Sequence, residues 1–178
     1  ESNPKARLAV DGEYNKLVNV VHPDGKGKGC WDFDSVREKS DACREAREKG
    51  ETWHFCMLAE LCFEKGSELD DGDPEKKFKG RHVVLGDQMR DQDFDYALFE
   101  HLGSSPPTFE AARLIDAISL QKGYEQTQAD AVSAYTQAFI GGGRGEGTPT
   151  WISLPRHRWP EAWVGKYKNP VVRLVLAL

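Results

Sequence analysis

The chain has 178 residues, of which 39% are hydrophobic and 10% aromatic, and it carries a formal net charge of -5. This aromatic content excludes a disordered chain, and the length suits one compact domain or a piece of a larger one. An acidic pI near 5.6 argues against a globally basic nucleic-acid coat protein. Without a long apolar run or a signal-peptide stretch, we expect an intracellular protein with no membrane partner.

Charge is distributed unevenly along the chain. Residues 1–75 carry 11 Lys and Arg against 18 Asp and Glu, whereas residues 76–178 carry 13 against 11. We therefore predict an acidic N-terminal segment over 1–75 and a second region over 76–178. Two basic clusters in the second region could face one polyanion, or could be ordinary solvated faces. They are Lys76, Lys77, Lys79, Arg81 and His82, and then Arg144, Arg156, His157, Arg158, Lys166, Lys168 and Arg173.

The cysteines and the last residues give two further expectations. Cys30, Cys43, Cys56 and Cys62 lie at irregular spacings without a Cys-x-x-Cys pair, so we expect reduced thiols that pack rather than bind zinc. The apolar run 171–178 has no turn signal or polar tail after it. Domains rarely end in such a run, so we expect a truncated chain.

The first half predicts one helix, a strand region and a loop. A capping-box pattern begins at Ser35 and Gly50 follows the Ala- and Glu-rich segment, which predicts a surface helix over about 35–49. Residues 52–63 fit a strand pair or a buried helix about equally well, and we predict strands. Gly, Pro and Asp cluster in residues 68–74, which is typical of a loop.

The next segments predict a strand and a helix. Residues 78–86 alternate as a strand that places Lys79 and Arg81 on one face, with Gly80 and His82 on the other. A helix is predicted over 109–122, capped by Thr108 and ended by Gly123. Its apolar positions suit burial. They are Ala112, Ile115, Ile118 and Leu120.

The remaining elements place one aspartate at the end of a predicted strand. Residues 124–130 alternate so that Asp130 comes last, and residues 131–139 suit a short helix. The glycine run 141–147 lacks the Lys-Ser or Lys-Thr of a phosphate-binding loop, so we interpret it as a hairpin linker. Another strand is predicted over 150–154.

Four segments, taken in order, resemble the N-terminal part of the reverse transcriptase of copia-type retrotransposon polyproteins. The resemblance covers roughly residues 76–178, and it depends on the order and spacing of the segments. It implies an α+β fold, a partial polymerase fingers and palm with a mixed or antiparallel sheet and flanking helices. The segments are Lys79-Gly80-Arg81-His82-Val83-Val84, Gln128-Ala129-Asp130-Ala131-Val132-Ser133-Ala134-Tyr135, Thr150-Trp151-Ile152-Ser153-Leu154-Pro155 and Val172-Arg173-Leu174-Val175-Leu176-Ala177-Leu178.

The resemblance implies the site residues of an RNA-directed DNA polymerase. Asp130, followed by Ala134 and Tyr135, fits the family pattern Asp-x-x-x-Ala-(Phe/Tyr). By that resemblance Asp130 is catalytic and binds both Mg²⁺ ions, and the backbone carbonyl of Ala131 helps to bind the second. Taken alone, Asp130 fits a helix N-cap better.

The same resemblance implies substrate-binding residues and partners. Tyr135 matches the aromatic steric gate that excludes ribonucleotides, and Lys79 and Arg81 match fingers cations that meet a triphosphate or the template. The partners implied are an RNA or DNA template-primer, deoxynucleoside triphosphates and the remainder of the polyprotein. Without the resemblance, a core tyrosine is the commoner interpretation of Tyr135, and solvated edge-strand cations that guard against strand pairing explain Lys79 and Arg81.

One departure from the family limits what this chain does alone. The second carboxylate pair, in a Tyr-x-Asp-Asp hairpin, would lie after Leu178, so we expect the parent to be a polymerase and this chain alone to be inactive. The first alternative is a non-catalytic nucleic-acid-binding remnant that stacks bases on exposed Trp151, Trp159 and Trp163. The second alternative is a structural or protein-interaction domain.

Overall fold

The computed structural model describes residues 3–97, 107–140 and 147–178. Within these ranges the protein is α+β, with three α-helices and a five-stranded mixed sheet, which confirms the predicted class. None of the helices in the described part of the chain is long and apolar enough to cross a bilayer. The elements are α1 (Pro4–Asn19), β1 (Trp31–Glu38), α2 (Lys39–Lys49), β2 (His54–Lys65), β3 (Lys77–Val84), α3 (Phe109–Ser119), β4 (Thr150–Ser153) and β5 (Pro170–Leu174).

The sheet has the strand order β1-β5-β4-β2-β3, so it draws strands from both sides of residue 75. β2 and β4 are parallel, and the other neighbours are antiparallel. The first part of β2 pairs with β4 and its second part pairs with β3. The β2–β3 hairpin therefore extends beyond β4 as a two-stranded ribbon.

The sheet separates two hydrophobic clusters. On one side, α2 packs Ala42, Cys43 and Ala46 against Trp53, Phe55, Trp151 and Val171. On the other side, a larger cluster includes Tyr14, Trp31, Leu58, Ile152 and Leu174. Adjacent residues of one strand enter different clusters, as Trp151 and Ile152 do, because successive side chains of a strand point to opposite faces.

The chain divides into two compact units. One comprises residues 1–97 and 134–178 and contains the whole sheet with α1 and α2. The other comprises residues 98–133 and contains α3.

The helix predicted over 35–49 begins later than expected, at Lys39. The capping-box side chains are used elsewhere. The Ser35 hydroxyl accepts the N–H of Arg173 at 2.8 Å, and the Glu38 carboxylate accepts the N–H groups of Lys168 and Asn169. These bonds hold residues 35–38 against β5 and the residues that precede β5. Residues 35–38 therefore form part of β1 and not of the helix. The predicted end is confirmed, since Gly50 is left-handed with φ 65°.

The strand predicted over 124–130 is wrong, because these residues are exposed and have no regular secondary structure. Gln126 instead donates to Asp116 of α3 at 2.8 Å. The helix predicted over 131–139 is reduced to a 3₁₀ turn, Ala134–Gln137. Ser133 has φ 51°, in the left-handed region that a right-handed helix does not accommodate.

Of the other predicted elements, some are confirmed and one is corrected. The strands predicted over 78–86 and 150–154, and the loop over 68–74, are confirmed. Residues 52–63 form one strand, β2, rather than a pair. The run 141–147 lies almost wholly outside the described residues. The cysteines are free, and all but Cys62 are buried.

The helix predicted over 109–122 is confirmed at its start, and Thr108 caps it by accepting the N–H of Ala111 at 3.3 Å. The predicted burial of its apolar positions is wrong. α3 has no buried residue, and Ile115 is 58% exposed. The described part of its own unit contains no second helix or strand that could cover it.

Candidate nucleic-acid interface

The β2–β3 hairpin carries the two predicted substrate-binding cations. Its register pairs Phe63 with Lys79 and Leu61 with Arg81. Directly paired residues of an antiparallel hairpin project to the same side. The alternation predicted for β3 is confirmed, because Lys79 and Arg81 are exposed whereas Gly80 and His82 are buried.

We call the side of the hairpin that bears Lys79 and Arg81 the cationic face. Its β3 row contains three cations followed by Val83, and its β2 row is apolar until it ends in a fourth cation. Side chains in each row are spaced by about 7 Å, and the rows lie about 5 Å apart. The β3 row is Lys77, Lys79, Arg81 and Val83, and the β2 row is Met57, Ala59, Leu61, Phe63 and Lys65.

The cationic face contains no carboxylate, and its apolar row is unusually open. None of its four cations forms an ion pair with any residue in the described ranges; the neighbouring Lys76 does, with Asp71. Phe63 is 55% exposed and Met57 is also 55% exposed. Unpaired cations beside exposed apolar side chains, one of them the aromatic ring of Phe63, suit a polyanion whose bases present flat apolar surfaces.

The opposite side of the hairpin, its back, is covered by α1. A Cβ built on Gly80 would lie 2.5 Å from the carbonyl oxygen of Ala9 and 2.6 Å from the Cα of Val10. Only glycine allows the helix backbone to approach β3 this closely. The Cys62 thiol also lies 3.8 Å from the carbonyl oxygen of Ala6.

A cluster of ionisable side chains lies on the back of the hairpin, centred on Glu60. One oxygen of Glu60 accepts from Arg158 Nε at 2.7 Å and from His82 Nε2 at 3.0 Å. The other accepts from His157 Nε2 at 2.8 Å. Arg158 also pairs with Asp11 of α1 at 2.6 Å. We call these five residues the Glu60 cluster.

The surroundings of the Glu60 cluster shift two pKa values. Partial burial acts to raise the pKa of Glu60, but hydrogen bonds from Arg158 and His82 outweigh it and leave this pKa lowered. Burial raises the pKa of Tyr14, whose ring lies beneath the Arg158 guanidinium, to about 12. Glu60 therefore stays ionised and Tyr14 stays neutral across the physiological range.

The predicted catalytic residues lie apart from any regular element. Asp130 and Ala131 are exposed and irregular, within the unit of residues 98–133. Tyr135 is 73% exposed in the 3₁₀ turn Ala134–Gln137, which belongs to the sheet unit. The expectation of an aspartate at the end of a strand is therefore wrong for this chain.

Two members of the second basic cluster are paired with carboxylates, whereas Arg156, Lys166 and Lys168 are exposed and Arg144 lies outside the described residues. Its members His157 and Arg158 belong to the Glu60 cluster. Two of the tryptophans proposed for base stacking are buried, Trp151 at 2% exposure and Trp163 at 6%. Trp159 is partly buried and donates its indole N–H to Leu154. Burial therefore excludes base stacking on Trp151 and Trp163, and it leaves only part of the Trp159 side chain accessible.

Two features of this region escaped sequence reasoning. The apolar row of the cationic face was detectable in the sequence, because apolar residues occupy every second position from 57 to 63. This period of two is the same as that of the cations in β3. The Glu60 cluster had no local signal, because Glu60 and Arg158 are 98 residues apart.

Comparisons with known proteins do not assign the chain to a family. No family model, no curated protein and no solved structure matches it.

Proposed function

We propose that this chain is the fingers and first palm segment of a copia-type RNA-directed DNA polymerase, and that its cationic face contacts nucleic acid. The observation that carries the proposal is the pairing of Lys79 and Arg81 with exposed Leu61 and Phe63 on one carboxylate-free surface. Lys79 and Arg81 also match the Lys-x-Arg strand in the fingers of the family that the chain resembles.

The physical basis of the contact is phosphate neutralisation. Lysine and arginine at alternate positions of β3 present charges at a spacing close to that of successive nucleotides in an extended strand. Four cations that each neutralise one phosphate predict a slope of about -3 when log affinity for a single strand is plotted against log salt concentration. Phe63 supplies an aromatic surface for a base.

In this proposal Asp130 acts in the complete polymerase rather than in this chain alone. Within the described residues no group of three or more His, Cys, Asp or Glu side chains is arranged to hold a metal ion. A single carboxylate does not hold two Mg²⁺ ions. The residues present therefore do not fit the metal pair by themselves, and Asp130 requires carboxylates that another part of the parent would supply.

Binding of a fluorescently labelled single-stranded oligonucleotide tests the contact. We expect the paired substitution Lys79→Gln and Arg81→Gln to lower affinity about tenfold at low salt and to reduce the salt slope by about 1.4. Lys26→Gln with Lys28→Gln is the matched control, because these cations are also exposed and two residues apart. Equal losses in the two pairs would refute a specific contact on the cationic face.

The coding sequence downstream of the Leu178 codon tests the polymerase assignment. A Tyr-x-Asp-Asp motif in the same reading frame would support it, and a complete polymerase with Asp130→Asn should then lose templated nucleotide incorporation. A frame without that motif would instead favour the second candidate, a non-catalytic nucleic-acid-binding protein. The exposed, irregular setting of Asp130 is the observation that favours this candidate.

A further inference from the structure

The Glu60 cluster is not used by the proposed nucleic-acid contact, and it joins four parts of the sheet unit. Glu60 lies on β2, His82 on β3 and Asp11 on α1. His157 and Arg158 come from the 3₁₀ turn Arg156–Arg158, which follows β4. This turn reaches the back of the hairpin through the side chains that converge on Glu60 and Asp11.

The two histidines of the cluster differ in their capacity to take up a proton. Each Nε2 faces the Glu60 carboxylate, so each Nε2 carries the hydrogen of that bond. The His82 side chain is 0% exposed, and its Nδ1 has no hydrogen-bond partner among the described residues. A proton there would bury an unpaired N–H. The His157 side chain is 60% exposed, so its Nδ1 can be protonated in contact with water.

The charges within the cluster do not sum to zero. With both imidazoles neutral, Glu60, Asp11 and Arg158 sum to one negative charge. Protonation of His157 balances that charge at a distance of 2.8 Å from the carboxylate. Arg7 lines the same groove, but it is exposed and forms no ion pair with a described residue, so solvent screens it. Tyr14, beneath Arg158, is uncharged.

We propose that Glu60, His157 and Arg158 form a proton-responsive latch that fastens the Arg156–Arg158 turn to the back of the hairpin. The latch tightens when His157 takes up a proton, because the imidazolium adds its charge to the hydrogen bond with the Glu60 carboxylate. This inference concerns the sheet unit itself and does not depend on nucleic-acid binding.

Amide hydrogen exchange of the chain at pH 8 and pH 6, with rates divided by the intrinsic rates at each pH, tests the latch. We expect the segment 154–164 to gain about two- to fivefold protection at pH 6, the effect of a partly exposed ion pair. Helix α2, which lies outside the cluster, serves as the internal reference and should not change.

Two variants make the test specific. His157→Gln keeps a polar side chain and lies at an exposed position, so it should fold and lose the pH dependence. Glu60→Gln should lose it too, whereas Glu64→Gln, an exposed carboxylate on the same strand, should retain it. Protection that is equal at the two pH values in the unaltered chain, or a pH dependence that persists in His157→Gln, would overturn the proposal.

Discussion

Gly80 of β3 lies directly beneath the backbone of Ala9 in α1, so close that a Cβ at Gly80 would sit 2.5 Å from the Ala9 carbonyl oxygen. The obstructing atoms are backbone, which cannot rotate away. This contact sets how near α1 approaches the back of the hairpin and brings Asp11 within reach of Arg158.

Gly80→Ala should therefore destabilise the protein by about 1–3 kcal/mol, because the helix must shift to admit the methyl group. Urea denaturation followed by circular dichroism measures the loss. Gly86→Ala is the control, since a Cβ there meets nothing within 4 Å. Equal stabilities of the two variants would contradict the close approach.

Arg158 is the cation that joins Glu60 to Asp11, and its side chain is only 14% exposed. Arg158→Met should cost about 1–3 kcal/mol, because it leaves Glu60 and Asp11 without their shared partner in a partly dry site. Thermal unfolding measures the change. Arg156→Met removes an exposed cation from the same turn and should cost much less. A similar loss from both would indicate a general effect of net charge.

Glu60 should contribute to stability in a pH-dependent way. Because its pKa is lowered in the folded state, its contribution is complete above the ordinary carboxyl pKa and is lost as pH falls through the folded value. The stability gap between the unaltered chain and Glu60→Gln should therefore narrow as the pH falls from about 5 to about 3. Denaturation at several pH values tests this. A gap that stays constant to pH 3 would be inconsistent with the lowered pKa.

The four thiols should react in two classes. Cys62 is exposed, whereas burial raises the pKa of Cys30 and of Cys56 to about 12 and also raises that of Cys43. A disulfide reagent attacks the thiolate, so one equivalent should react in the native protein and three more after unfolding. Absorbance of the released thiol measures both phases. In Cys62→Ser the first phase should disappear; its persistence would show that a second thiol is accessible.

Local patterns predicted those parts of the fold that local physics controls. The alternation of Lys79, Gly80, Arg81 and His82 was correctly assigned to two faces, because a strand has a fixed period of two. Thr108 caps α3 and Gly50 ends α2 for equally local reasons, a side-chain acceptor and a left-handed backbone. The cationic face follows from the same alternation once β2 is paired with β3.

Capping patterns and apolar stripes gave wrong predictions where the outcome depended on other parts of the fold. Ser35 and Glu38 match a capping box, but β5 and the residues before it supply their hydrogen-bond partners, 130 or more residues away. Ile115 lies on an apolar stripe, yet it remains exposed because no other described helix or strand of its unit covers it. Asp130 does not end a strand because the exposed residues 124–130 pair with no other described strand.

The alternation of residues in β3 was enough to assign its two faces and the position of its cations, because the two-residue period of a strand is local, whereas the α+β class was an implication of the family resemblance. The pairing of two members of the second basic cluster with a carboxylate became visible only in the folded structure. His157 and Arg158 meet Glu60 because β4 lies beside β2 in the sheet, and this pairing across about 100 residues depends on the topology. The sequence gives the charge of each side chain, but the fold decides which opposite charge lies beside it.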